Sequence, residues 1–287
     1  MPVVRGVRGS DGSAGDADYS RIGAGYARYR RPDPRIAARI ADALGDARSV
    51  LNVGAGAGSY EPLDRVVTAV EPSATMREQR PAHLVAALDA RAEALPFADD
   101  AFDASMATFT VHQWSNLEAG LAEMRRVTRG PVVVLSCDPE ALDRFWLAEY
   151  APLVIATEAR RYPALDRIRA GLGGSVEVRE VPIPFDCTDG FGEAYFGRPE
   201  LLLDEGARRA NSAWSFVPPD VAGEYVGRLE RDLASGAWDA RWGGLRTQST
   251  FDGSLRLLVS GGRRERAGQV SMSARDGRAD AMSRLRG

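Results

Sequence analysis

The chain has 287 residues, with 37 basic side chains against 40 acidic ones, a formal charge of −3 and 44% apolar residues, an ordinary globular composition. Every basic residue is an arginine, so chemistry that needs a lysine, Schiff-base formation or a P-loop, is excluded. Two cysteines, Cys137 and Cys187, and two histidines, His83 and His112, lack ligand spacing and point away from a disulfide framework or a metal site.

The first 18 residues, rich in Gly, Ser and Asp, are expected to form a flexible leader, and no signal-peptide core precedes the body. No apolar run is long enough to cross a bilayer, so the expected location is cytoplasmic with no membrane partner. The skew toward Ala, Arg, Gly and Asp suggests a GC-rich bacterial gene. From Tyr19 aromatics and arginines lead to Pro34, after which Ile36, Ile40 and Leu44 keep a helical period.

Short apolar or β-branched runs then predict strands at Ser49–Val53, Arg65–Val70, His83–Ala87, Phe102–Thr108 and Gly130–Ser136. Helices are predicted between them at Ala74–Arg80 and Leu117–Val127. Strand alternating with helix argues for an α/β fold with a parallel sheet covered on both faces. After Pro139 the pattern is helical through Arg169, followed by a strand at Ser175–Pro182, an aromatic and proline-rich segment at Phe185–Trp242, and a strand at Ser254–Ser260. The arginine-rich remainder from Gly261 is expected to be disordered.

The stretch "SVLNVGAGAGSYEP", residues 49–62, ends a strand in Gly54, Gly56 and Gly58, spaced by Ala55 and Ala57. Missing side chains allow a sharp turn and let a ligand lie against the backbone. The next strand ends at Glu71, where an open α/β sheet places an acid over a ribose diol. A nicotinamide dinucleotide and S-adenosylmethionine (SAM) both present that diol. The dinucleotide pattern G-x-G-x-x-G/A does not match Gly56-Ala57-Gly58, and Glu61 stands where a pyrophosphate would be unwelcome.

With "VTAVEPSATM", "AEALPFADDAFD", "VHQW" and "EMRRVTRGPVVVLS" following in that order, the sequence resembles the class I SAM-dependent methyltransferases. Within them it is similar to the small-molecule type related to quinone-biosynthesis C-methyltransferases. The resemblance implies a Rossmann-like domain over residues 19–260, with a seven-stranded, mostly parallel sheet whose last strand, Ser254–Ser260, runs antiparallel beside Ser175–Pro182. It also implies a helical, substrate-capping insertion at about residues 185–242.

The cofactor implied is SAM, with S-adenosylhomocysteine (SAH) as product. Gly54, Ala55, Gly56 and Gly58 would underlie its methionine and ribose, and Glu71 would hold the ribose hydroxyls. Pro72, Ser73 and Met76 would line the adenine, Ala92 and Glu93 its edge, and Thr108 and Phe109 the methyl donor. Asn52 replaces an acid common among relatives, so contact from this position with the cofactor's ammonium is in doubt, and Arg91 precedes Ala92 where an acid often meets the adenine. From the N-terminal segment, Tyr29 or Arg31 could meet the cofactor's carboxylate, or form a solvated basic turn.

His112, just beyond the fourth predicted strand, is the candidate general base for an acceptor hydroxyl, or else a positioning histidine packed on Trp114. Trp114, Asp186, Asp189, Tyr195 and Arg198 are the candidate acceptor contacts; the alternative for the insertion is aromatics that only pack it on the sheet. The expected acceptor is a small organic molecule, a specialised metabolite or quinone-like compound. Nucleic acid is disfavoured because the body is acidic and carries no basic stripe. Monomer and homodimer stay open, as do two other functions: a nicotinamide-dependent oxidoreductase and a SAM-binding protein that does not methylate.

Overall fold

A computed structural model describes residues 25–261; the expected leader and tail lie outside this range except for Gly261. The chain opens with a single helical turn, α1 (Tyr26–Tyr29), and then α2 (Pro34–Leu44). Pro34 sits in the first turn of α2, where no N–H is required, and Asp33 caps it by accepting from the Arg35 N–H at 2.9 Å. Strands β1 (Ser49–Val53), β2 (Val66–Val70), β3 (Ala104–Thr108) and β4 (Val132–Cys137) follow, with α3 (Ala74–Glu78) after β2 and α4 (Leu117–Val127) after β3. Asn116 caps α4 through its side chain.

After β4 come α5 (Leu147–Tyr150), α6 (Pro152–Arg161), α7 (Leu165–Leu172) and strand β5 (Val176–Glu180). The two-residue strands β6 (Ile183–Pro184) and β7 (Thr250–Phe251) pair with each other and close the base of an insertion spanning residues 185–249. That insertion holds α8 (Glu205–Arg209), α9 (Pro219–Ser235) and α10 (Ala237–Trp242) among short 3-10 turns. Strand β8 (Leu255–Ser260) ends the described chain.

The principal sheet has six strands in the order β2-β1-β3-β4-β8-β5. The first four are parallel, and β8 runs antiparallel between β4 and β5. Its two faces feed two cores by strict alternation: Val133 and Leu135 of β4 pack on the side of α2 and the insertion, while Val132 and Val134 pack with α4 and α7.

The seventh strand expected at His83–Ala87 does not form. That segment runs beyond β2 at the sheet edge and joins it by a single bridge, Leu88 to Val70. Val85 and Leu88 are 46% and 48% exposed. No layer covers these side chains, so an apolar run alone did not specify a strand here. At the other edge β5 carries Glu177, Arg179 and Glu180 outward, a charged rim that discourages edge-to-edge pairing. Among the described residues no helix is long and apolar enough to cross a membrane.

Candidate active site

At the carboxyl ends of β1 and β2 the backbone builds a cradle. The N–H groups of Gly54 and Ala55 both donate to the Val70 carbonyl, at 3.0 and 2.9 Å, so the chain leaving β1 bends over the end of β2. Gly54 (φ +69°) has no room for a side chain, since a Cβ would stand 2.1 Å from Thr110 Oγ1. At Gly56 (φ +52°) a Cβ would meet only Met76 Cε, at 3.4 Å. Both adopt the left-handed region that favours glycine.

Glu71 ties the cradle together. Its carboxylate accepts from the Gly56 N–H through Oε2 and from the Ser73 N–H through Oε1, both at 2.8 Å. Burial pushes its pKa up, against the opposing pull of those two N–H groups. Each oxygen keeps capacity for a further donor.

The expected residues Gly54, Ala55, Gly56 and Glu71 line one cleft of about 820 Å³, together with Pro72, Ser73 and Met76. Ala92, Glu93, Thr108 and Phe109 complete the expected part of its wall. Trp114, expected as an acceptor contact, lines this same cleft, against Gly120 of α4. Four expected residues lie elsewhere. Asn52 is fully buried under the loop and donates to Glu61 at 3.0 Å. Gly58 faces a groove on the other side of the loop, where a Cβ would stand 2.2 Å from Leu84.

Arg31 lines that same groove beside α2. The Tyr29 hydroxyl donates to Asp204 at 3.0 Å, away from the cleft. In their place Tyr26 of α1 and Arg30 just beyond its end line it, four residues apart. The charge of Glu61 does not reach the cleft either: Arg80 neutralises it at 2.8 Å in a nearly sealed pair. The sequence argument that Glu61 repels a pyrophosphate therefore fails on geometry.

A second cavity, about 720 Å³, adjoins the first and shares Tyr26, Arg30 and Phe109 with it. Phe109 holds the partition with a left-handed backbone (φ +51°), a rare conformation for a bulky residue. Its ring packs 5.2 Å from that of Phe191, and the Arg30 guanidinium lies 5.2 Å from its centroid. Arg30 is held by Asp189, Nε to Oδ1 at 2.5 Å, and Asp189 also accepts from the Tyr60 hydroxyl at 2.9 Å.

His112 lines this second cavity from the 3-10 turn Val111–Gln113. Its ring packs 4.4 Å from Tyr162, and its Nδ1 is buried without a partner. Burial, reinforced by Arg161 and Arg30, drives its pKa well below the usual histidine value, so the imidazole is neutral.

The structure does not bring Asp186, Asp189, Tyr195 and Arg198 to this cavity. Asp186 is exposed and paired with Arg35 at 2.6 Å. Asp189 anchors Arg30, as above. Tyr195 is buried with its hydroxyl against Gly190, and Arg198 donates to the Cys187 and Ala194 carbonyls, both at 3.1 Å. The walls come instead from α6, which offers Val154, Ile155 and Glu158, from Tyr162 just beyond it, and from Phe191, Glu193, Asn211 and Trp214 of the insertion. The helical spacing of residues 154, 155, 158 and 162 was the available signal for the first group.

Comparison with known proteins agrees with this geometry. Residues 51–134, from the middle of β1 into β4, match a family model described as a methyltransferase domain. A solved structure from Anabaena variabilis, described as a methyltransferase from an antibiotic biosynthesis pathway, is 30% identical, covers 81% of this chain and 98% of its own, and has a TM-score of 0.76. A SAM-dependent methyltransferase from Thermotoga maritima, described as a possible histamine N-methyltransferase, shares the fold at 16% identity and a TM-score of 0.52, over 85% of this chain and 98% of its own. No protein of curated function matches the sequence. Cradle, sheet order and relatives answer the oxidoreductase alternative, and the chain belongs to the class I SAM-dependent methyltransferases.

Proposed function

We propose that the cleft beneath the glycine loop holds SAM and that the second cavity holds a small organic acceptor. The observation that carries this reading is the shared wall: Tyr26, Arg30 and Phe109 belong to both spaces. A donor in one and a nucleophile in the other would meet there, held at the roughly 3–3.5 Å that displacement requires.

The residues present fit the cofactor. Gln113 is buried in the cleft wall with neither its amide nitrogen nor its carbonyl partnered, which calls for a ligand offering both an acceptor and a donor. An adenosyl amino acid offers both, Glu71 has capacity for the ribose hydroxyls, and a Cβ at Gly56 would point into the same space. When bound, SAM supplies an electrophilic methyl group. The chain's own residues orient it, exclude water beneath the N-terminal segment and insertion, and align the acceptor.

For the acceptor, aromatic walls favour a planar apolar body. A quinone-like ring and the ring of a specialised metabolite fit these walls equally well. His112 is neutral and so has a lone pair for an acceptor hydroxyl, but its burial also makes the imidazolium costly. Among the described residues no carboxylate is paired with it, so the imidazole orients the acceptor more than it stores its proton.

The test is SAH binding by calorimetry together with methyl transfer over a panel of aromatic acceptors. Glu71→Ala abolishes SAH binding, while His112→Ala keeps turnover within about tenfold of wild type. A loss of roughly 10²–10⁴ would restore His112 as an essential general base, and intact SAH binding in Glu71→Ala would overturn the cofactor assignment.

A further inference from the structure

The part of the second cavity not shared with the cofactor cleft carries two carboxyl side chains, Glu158 of α6 and Glu193 of the insertion. Glu193 is buried, and Ser254 holds it: the Ser254 N–H lies 3.0 Å from each carboxyl oxygen, and its hydroxyl donates to Oε2 at 2.6 Å. Oε1 retains capacity for another donor. The other ionisable groups around it are Cys137, Glu158 and Arg256. Burial pushes its pKa up to about 7 against the Ser254 bonds, and the charge of Glu158 acts in the same direction as burial. A positive charge brought beside Glu193 would offset the cost of burying its carboxylate.

The lining offers nothing comparable to an anion. Arg30 is its one cation among the described residues, and Asp189 already engages it. A carboxylate or phosphate entering here would lose its hydration without gaining a free partner. Phe145, Tyr162, Phe191 and Trp214 add aromatic walls, whose faces attract cations as well as planar rings.

We propose that this cavity selects an aromatic acceptor bearing a protonated amine, with its ring among the aromatic walls and its ammonium toward Glu193. This rests on the cavity being the acceptor site. The amine is the group recognised, and the methylated atom lies at the Phe109 end.

The test uses three probes that share a phenylethyl body and carry a positive, neutral or negative head group: 2-phenylethylamine, 2-phenylethanol and 3-phenylpropionate. Binding to the full chain with SAH present is followed by ligand-observed NMR and tryptophan fluorescence. The amine is expected to bind at least tenfold more tightly than the carboxylate. Glu193→Gln is expected to weaken the amine about tenfold and leave the alcohol within about twofold.

The carboxylate binding as tightly as the amine, a uniform loss for all three probes in a folded Glu193→Gln, or no binding by any probe would each overturn the proposal. Should Glu193→Gln fail to fold, the wild-type ranking decides. SAH binding measured alone separates the two readings: its failure removes the cofactor assignment, whereas the wrong probe order with SAH bound removes only the amine selectivity.

Discussion

Gly56 and Gly58 sit two residues apart in one loop, yet alanine should harm them in different ways. At Gly56 (φ +52°) the added Cβ meets only Met76 Cε at an ordinary 3.4 Å. The stability cost is then mainly that of a left-handed alanine, about 1–2 kcal/mol, or a Tm decrease of about 2–8 °C for a domain of this size. Gly56 and Met76 both line the cleft, however, so under the proposed assignment the methyl group would take space that SAM needs. An SAH affinity loss of about 100-fold, close to 3 kcal/mol, is expected.

At Gly58 (φ +96°) the Cβ would lie 2.2 Å from Leu84 Cδ1, outside the cleft. Leu84 is half-buried and the end of its side chain can give way, so the cost is mainly backbone strain: a φ of +96° lies beyond the left-handed well at about +50 to +70°, and Gly58→Ala loses the larger share of stability. Its affinity, once the folded fraction is allowed for, changes by only a few fold. Calorimetry with SAH and thermal melts on both variants check the contrast. If Gly56→Ala binds SAH as wild type does, or if Gly58→Ala is the variant that selectively loses binding, the placement of the cofactor over Gly56 is wrong.

Two further outcomes follow from buried charges. Glu193, raised to about 7 from an ordinary 4.5, favours the folded state fully below pH 4.5, and this contribution is lost as pH rises through 7. Between pH 6.5 and 8.5 it should account for a stability loss of about 1 kcal/mol. The depressed His112 acts mainly below pH 6.5, and the buried Glu71, Cys137 and Cys187, also raised by burial, are common to both proteins, so in denaturant titrations the difference in slope between wild type and folded Glu193→Gln isolates Glu193; an equal slope would refute the assignment. Asp189→Ala strands the Arg30 guanidinium in a buried site and should cost about 3–5 kcal/mol, whereas the double replacement Arg30→Met with Asp189→Leu should cost less. Equal melting temperatures for the single and double variants would show that the pair is not coupled.

Much of the cofactor cleft was legible because it is assembled at strand ends. Gly54 to Gly56, Glu71 to Met76, Ala92 to Glu93 and Thr108 to Phe109 are short runs at the carboxyl ends of neighbouring strands or on the connections that follow them. Parallel-sheet topology brings those ends together whatever the rest of the chain does. Gly58 missed the cleft because a tight loop turns successive residues in different directions, and Asn52 because its strand places its side chain in the interior, where it donates to Glu61. Tyr29 and Arg31 missed the cleft for a related reason: Tyr26 and Arg30 face it one turn apart, while their neighbours turn elsewhere, Tyr29 to Asp204 and Arg31 to the groove beside α2.

The sequence alone therefore determined the α/β class, the parallel sheet and a glycine loop at the end of its first strand, since strand periodicity and glycine conformational freedom act over a few residues. Only the tertiary structure decided the second cavity. Its walls come from the 3-10 turn after β3, from α6 and from distant parts of the insertion, and whether Asp189 faces a ligand or a buried arginine depends on packing between segments more than 150 positions apart in the chain. Long-range contacts of that kind leave no local periodicity, which is why Asp186, Asp189, Tyr195 and Arg198 looked like acceptor contacts; Asp186 and Asp189 instead fasten the insertion to the body through Arg35 and Arg30, and Tyr195 and Arg198 hold the insertion itself together.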